Sequence, residues 1–161
     1  MRQTQFDTIY KENYPKVIRL CMGYTNGNES QAQDLTQDVF IKVWENLGDF
    51  KNHSALSTWI YRITVNTCLM SLRKKKKLRL SNNLPMHVES NNDSHSESRE
   101  QQFIQLYGCI DKLSENSKTI ILLALEGLPQ KEIAEIVGVK HEAIRVRLHR
   151  IKNELTKCVK K

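Results

Sequence analysis

Apolar residues in this chain recur every three or four positions rather than every second one. Phe6, Ile9, Tyr10, Tyr14, Val17, Ile18, Cys21 and Met22 form one such stripe. Ala32, Leu35, Val39, Phe40, Val43, Trp44 and Leu47 form a second, and Ile60, Ile63, Thr64, Thr67 and Met70 or Ser71 a third. That period places each set on one face of an α-helix. Alternating β-branched runs are rare, and the chain has only six Gly and three Pro, so the expected fold class is all-α. Pro15 lies inside the first stripe and predicts a short helix before Asn13 and another from Pro15, because proline removes a helical donor and clashes one turn back. Asn26-Gly27-Asn28 reads as a turn. The second helix starts between Asn28 and Ser30, where Ser30 with Gln33 resembles a capping box, and Gly48 can end it. The third covers about residues 58–78 and ends in the basic run Arg73, Lys74, Lys75, Lys76, Lys77.

Residues 81–98 break the pattern. They are rich in Ser, Asn, Asp and Glu, include Pro85, and hold little apolar material. Such a segment cannot bury enough surface to offset its ordering entropy, so it reads as a flexible linker between small helical domains at 1–80 and 99–161. Helical spacing resumes with Ile104, Tyr107 and Ile110, continues through Ile120, Ile121, Leu123, Ala124 and Leu125, and turns at Gly127-Leu128-Pro129. Two helices then flank a short turn, at 130–137 and 141–155. Ile133, Ala134 and Val137 face inward in the first, with Ala134 small where helices must approach. Gly138 occupies a position that favours positive φ, and Val139 plugs the core behind it. Ile144, Leu148, Ile151 and Leu155 line the inside of the second helix. This is the pattern of a helix-turn-helix, although Lys140 stands where a Ser or Thr N-cap is expected.

Charge sharpens the picture. The net charge is +7, which favours an anionic partner, and it is unevenly spread: +6 over residues 1–80, −3 over 81–105 and +4 over 106–161. There is no phosphate-cradling Gly-rich loop, no metal-ligand cluster and no convincing Ser/His/Asp set, and the five His are isolated. An enzyme is therefore not expected, nor is a cofactor. The first residues lack the basic-then-apolar pattern of a secretory signal, and no stretch approaches the ~20 apolar residues of a membrane span. A cytoplasmic location without direct membrane insertion is expected. Cys21, Cys68, Cys109 and Cys158 are dozens of residues apart and read as reduced, mostly buried thiols rather than a zinc site or a disulfide framework.

Three surfaces carry candidate chemistry. The outer face of the last helix bears Arg145, Arg147, His149, Arg150 and Lys152, suited to guanine edges and phosphates in a major groove; the plainer alternative is a helical hairpin with a solvated basic face. The outer face of the second helix bears Asp34, Gln37, Asp38, Ile41 and Glu45, either a solvated stripe or a docking face for a basic protein. Phe50, Trp59 and Tyr61 lie among Lys51, His53, Ser57, Thr58 and Arg62. Aromatic groups beside basic and hydroxyl groups suit stacking on unpaired bases; the plainer alternative is that Phe50 and Trp59 are core residues, Trp59 above all. The Arg73 to Lys77 run is a phosphate contact or a solubilising helix end.

These residues resemble a known family. The run Ala32-Gln33-Asp34-Leu35-Thr36-Gln37-Asp38-Val39-Phe40, then Phe50, then Thr58-Trp59-Ile60-Tyr61-Arg62-Ile63 with Asn66, resembles region 2 of extracytoplasmic-function (ECF) sigma factors of the sigma-70 family. Leu113-Ser114-Glu115, Glu132-Ile133-Ala134-Glu135 and Arg145-Val146-Arg147-Leu148 resemble their region 4. Two motifs in the right order cover nearly the whole chain except the linker.

The resemblance implies a sigma region 2 helical bundle and a region 4 helix-turn-helix. It implies bacterial RNA polymerase core and promoter DNA as partners, with an anti-sigma factor as regulator. Asp34, Gln37 and Asp38, with Ile41 beside them, would bind the clamp helices of the polymerase largest subunit. Phe50, Lys51, Ser57 and Thr58 around the loop, with Asn66, would capture a flipped base of the minus-ten element, and Arg62, Arg73 and Lys74 would hold the backbone. Lys140, Arg145, Val146, His149 and Arg150 would face the minus-thirty-five element; Val146 replaces a commonly small polar residue. The rival reading is a conventional helix-turn-helix regulator with an N-terminal sensing domain, and a basic nucleic-acid chaperone would explain the charge but not two ordered motifs. Limited proteolysis is expected to cut first within residues 81–98. Cleavage inside residues 32–47, with the acidic segment resistant, would count against that boundary.

Overall fold

Seven helices make up the described part of the chain, which in this computed structural model comprises residues 2–52, 55–82 and 98–160; no strand occurs among these described residues. Helices α1 (Arg2–Tyr24), α2 (Glu29–Asn46) and α3 (Leu56–Asn82) pack on one another as one bundle. Helices α4 (Ser98–Asp111), α5 (Glu115–Leu125), α6 (Gln130–Val137) and α7 (His141–Lys160) form a second. The acidic segment assigned to the linker lies almost wholly outside the described residues; α3 reaches Asn82 and α4 begins at Ser98, so both adjoining helices run further than the apolar spacing suggests.

Pro15 does not divide the first helix: α1 is continuous through it. Lys11, whose carbonyl loses its helical donor, and Pro15 are both on the exposed face, so water can satisfy that carbonyl. One turn earlier on the inner face, the buried Asn13 amide donates to the Ile9 carbonyl at 2.9 Å. The turn at Asn26 and Gly27 is as expected, both with positive φ. The cap of α2 is Asn28, not Ser30: the Asn28 Oδ1 accepts from the Gln31 backbone N–H at 3.0 Å. Its inner stripe of Ala32, Leu35, Val39, Phe40 and Val43 is buried as the period requires. In α3 the inward set is Ile60, Tyr61, Thr64, Val65, Thr67 and Cys68, whereas Met70 is 61% exposed and Ser71 half-buried.

In the second bundle Ser114 caps α5 by accepting from the Ser117 N–H. Gly138 ends α6 in the left-handed region, φ 79°, and its N–H reaches the Ala134 carbonyl at 2.8 Å. Only a residue without Cβ takes that conformation at no steric cost. Ile133, Ala134, Ile144, Leu148, Ile151 and Leu155 are buried, and Val139 packs against them.

The reading of the cysteines needs correction. Cys21 and Cys68 are free, buried thiols, but Cys109 and Cys158 form a disulfide that ties α4 to the last turn of α7, Cα to Cα 5.9 Å. They lie 49 positions apart in sequence, so nothing in their spacing reveals that α4 lies along α7. Cross-linking a loop of this length restricts the unfolded chain and typically stabilises by about 2–4 kcal/mol. The oxidised protein is therefore expected to melt at higher temperature than the reduced one. Cys158→Ser should melt like the reduced form and no longer respond to reductant; identical melts in all cases would show that the bond adds no stability.

Candidate nucleic-acid and polymerase interface

Helix α2 is fixed from behind. Phe40 and Trp44 pack into aromatic residues of α1, with Tyr10–Phe40 centroids at 4.7 Å and Phe6–Trp44 edge to face at 5.2 Å. The Arg2 guanidinium lies over the Trp44 ring at 4.6 Å and donates to its carbonyl. Aromatic pairs and a cation over a ring each add to burial. With that face committed, Asp34, Gln37, Asp38 and Glu45 point outward, and Ile41 stands among them 54% exposed. An apolar side chain in an acidic row is what a basic partner with an apolar centre would contact.

The second surface runs from the α2–α3 connection along α3. A short 3-10 turn, Leu47–Asp49, leads to Phe50, whose ring lies 5.0 Å from that of Trp59. Both rings are half-buried, and Trp59 packs against the hydrophobic core while keeping part of its surface wet. Lys51 and Asn52 are exposed, Asn52 with φ 61°; His53 lies outside the described residues. Ser57 and Arg62 are half-buried and Asn66 is exposed. Thr58, Arg62 and Asn66 follow at four-residue spacing and so share one side of α3. Thr58 departs from expectation. It is only 3% exposed, and its hydroxyl donates to Glu132 of α6 at 3.4 Å. Arg73 is exposed but engaged, donating twice to Glu115 Oε2 at 3.0 and 3.2 Å, while Lys74 is exposed on the surface. A groove of about 450 Å³ is lined by Arg73, Lys76, Lys77, Leu80, Ser81 and Glu115.

The third surface is the outer face of α7. Lys140, Arg145, Val146, Arg147, His149 and Arg150 are all exposed, Val146 by 51%. Arg145 and Arg150 are five residues apart, roughly 140° around the helix at about 100° per residue, so they cannot serve one contact. Val146 offers a methyl surface between them, suited to a thymine methyl rather than to a hydrogen bond.

Sequence reasoning missed a set of polar residues between the bundles. Arg19 of α1 donates from Nε and Nη2 to the two carboxylate oxygens of Glu126 at 2.8 and 2.9 Å, and the Tyr61 hydroxyl adds a third bond at 3.3 Å. Burial and the neighbouring Glu126 charge push the Tyr61 phenol well above its ordinary pKa. The Tyr24 and Thr119 hydroxyls meet at 2.5 Å, and burial likewise pushes Tyr24 up. In isolation Glu126 looks like a solvated residue before a Gly turn, and no helical period points to it. No group of His, Cys, Asp and Glu suited to a metal ion occurs among the described residues, and no described helix is long and apolar enough to cross a membrane.

Comparison with known proteins identifies the family. Sigma-70 region 2 matches residues 9–78 and Sigma-70 region 4 matches residues 103–155. RNA polymerase sigma factor SigV of Bacillus subtilis (strain 168) is 30% identical over 145 residues, covering 89% of this chain and 82% of that protein. ECF RNA polymerase sigma factor SigE of Mycolicibacterium smegmatis is 27% identical over 157 residues, covering 93% of this chain and 60% of that protein. Among solved structures, the sigma factor RpoE in complex with the anti-sigma factor NepR from Bartonella quintana superposes with a TM-score of 0.79 over 97% of both chains at 21% identity, a likeness of fold. A helical bundle with an outward acidic row, followed by a helix-turn-helix with a basic outer face, and both matched in order by the two sigma regions, place this chain in the ECF subfamily of sigma-70 RNA polymerase sigma factors, the promoter-recognising subunits of transcription initiation.

Proposed function

We propose that the three exposed surfaces divide the work of initiation. Asp34, Gln37, Asp38 and Ile41 dock on the polymerase core. Phe50, Lys51, Ser57, Thr58, Arg62, Asn66, Arg73 and Lys74 take the opened minus-ten element. Lys140, Arg145, Val146, His149 and Arg150 face the duplex minus-thirty-five element. In this reading residues 1–80 and 99–161 are the two functional domains, and the protein works without a catalytic centre or cofactor, in the cytoplasm. The solved relative named above was captured with an anti-sigma factor, and we extend the same kind of regulator to this chain.

The observation that carries the reading is the exposed Asn66 amide, four residues beyond Arg62 and about two turns along α3 from Trp59, whose ring pairs with Phe50. The chain carries no nucleotide-hydrolysis motif, so strand opening must draw on binding alone. Extruding a base costs a few kcal/mol, which only capture of that base can offset. An amide supplies both donors and an acceptor for a base edge, and an aromatic platform supplies stacking. The simpler role for Asn66, capping local backbone, would leave melting untouched.

Run-off transcription with core polymerase, with and without the protein, tests the function as a whole. Asn66→Ala is expected to lower open-complex formation on a duplex promoter, read by permanganate reactivity of unpaired thymines. A pre-melted bubble should restore part of the loss but not the base preference; normal melting with unchanged preference would remove Asn66 from the site. The docking face has its own test. Asp34→Lys with Asp38→Lys should abolish core binding in a pull-down with helix content unchanged, because both carboxylates are exposed and hold nothing in the core. Unaltered capture of core by this double variant would refute the docking assignment.

A further inference from the structure

A row of aromatic rings follows the seam between α1 and α2, and its two ends differ. Phe6 stands between Trp44, at 5.2 Å, and Phe40, at 6.4 Å. Tyr10 continues the row at 4.7 Å from Phe40. Tyr14 lies 5.4 Å from Tyr10 and is stacked on Phe40 at 6.4 Å. At the Trp44 end the Arg2 guanidinium covers the ring. The Tyr14 end is open: Tyr10, Tyr14 and Phe40 line a hollow of about 130 Å³ there, completed by Gln33, Thr36 and Gln37 of α2.

The lining suits a flat cation. The ring faces carry the negative part of the aromatic quadrupole, which attracts a cation held within about 6 Å. Gln33 and Gln37 are exposed, and their amide carbonyls can accept N–H donors at the rim. The Thr36 hydroxyl spends its proton on the Ala32 carbonyl at 2.7 Å, which leaves its oxygen free to accept. No lining residue is charged, while Asp34 and Asp38 stand exposed on the adjoining face of α2 and draw cations towards it.

Size and hydration narrow the choice. One water occupies about 30 Å³ in the liquid, so the hollow has room for a group of roughly four heavy atoms, the size of a guanidinium. Guanidinium is planar, stacks on ring faces and is more weakly hydrated than ammonium. The same seam already accepts this group at its other end, where Arg2 covers Trp44 and donates to its carbonyl. Gln37 lies both in the lining and in the row proposed to dock on polymerase, so the hollow continues that row. Arginine side chains seated in pockets are frequent anchors of protein interfaces.

We propose that the hollow between Tyr10, Tyr14 and Phe40 is a socket for an arginine side chain of the polymerase core, guided there by the acidic row of α2. The partner named here rests on the docking assignment given above; the preference for guanidinium rests on the lining.

The test uses the full chain and core polymerase, with affinity read by fluorescence anisotropy of the labelled chain and circular dichroism as the check on helix content. Tyr10→Leu keeps an apolar side chain but removes the ring, and should weaken binding about tenfold, the scale of one desolvated cation–ring contact. Tyr10→Phe restores the ring and should recover most of that loss. Gln33→Lys, at an exposed position, sets a cation at the mouth of the hollow and should also weaken binding; it decides the matter if Tyr10→Leu loses helix. Gln31→Lys adds the same charge about 200° away around α2 and should stay near wild type. Equal losses for Tyr10→Leu and Tyr10→Phe, or for the two lysine variants, would overturn the socket. So would wild-type affinity of Tyr10→Leu while the Asp34→Lys, Asp38→Lys pair loses core. If that pair also binds core normally, the docking assignment itself fails, and the socket for polymerase with it. The guanidinium preference is read without polymerase: methylguanidinium should shift the Tyr10 and Tyr14 ring resonances more than methylammonium at equal concentration. Equal shifts would overturn it.

Discussion

The carboxylate of Glu126 lies between two helical bundles with its side chain almost wholly enclosed, and a charge so placed opposes burial unless it is fully met. Here both oxygens are met. The Arg19 guanidinium binds them in fork geometry, the arrangement in which arginine matches a carboxylate best, and the Tyr61 hydroxyl supplies a further donor. Burial, with the Glu126 charge beside Tyr61, pushes the Tyr61 and Tyr24 phenols well above their ordinary range. The contact is therefore conditional. With every donor present the buried charge is met; with one removed, it is left short of a partner where water reaches it poorly. An apolar seam would lack this property, because losing one contact from it leaves no unpaired charge behind.

Inside each bundle the other buried polar groups are met locally. Buried threonines in the first bundle return their hydroxyls to carbonyls one turn back, Thr36 to Ala32, Thr64 to Ile60 and Thr67 to Ile63, so the core holds hydroxyls with no unmet hydrogen bond. The Cys21 and Cys68 sulfurs lie side by side at 3.7 Å, and their hydrogen bond draws the Cys21 thiol down while Cys68 is pushed up. In the second bundle Lys118 is buried and meets Asp111 at 3.5 Å. With internal polar groups satisfied locally, the outward rows on α2 and α7 carry no structural duty, and selection on those rows is free to follow the partner.

How much of this was legible in the sequence follows from the range of each signal. Helix existence, the buried stripe of α2, the Gly138 turn and the inner row of α7 depend on periodicity within a few turns, and the spacing of apolar residues reports that directly. The α1 reading failed at Pro15 because the cost of proline depends on whether the orphaned carbonyl faces water, which is a tertiary fact. The cap of α2 was placed two residues late because Asn28 and Ser30 both suit the role and only the backbone chooses. The Cys109–Cys158 bond and the Arg19–Glu126 pair join residues 49 and 107 positions apart, and no local pattern encodes which distant helices meet. Among the candidate site residues, exposure held for Asp34, Gln37, Asp38, Ile41, Asn66 and the α7 row, and it failed for Thr58 because α6 covers it.

Gly23 carries the last step. A helix-interior glycine costs about 1 kcal/mol relative to alanine, and the three atoms nearest to a Cβ placed there all belong to Leu122 of α5. The glycine therefore offsets its helix cost by letting α5 approach α1. That approach is set by the absence of one side chain, together with the Tyr24–Thr119 hydroxyl pair that joins the same two helices.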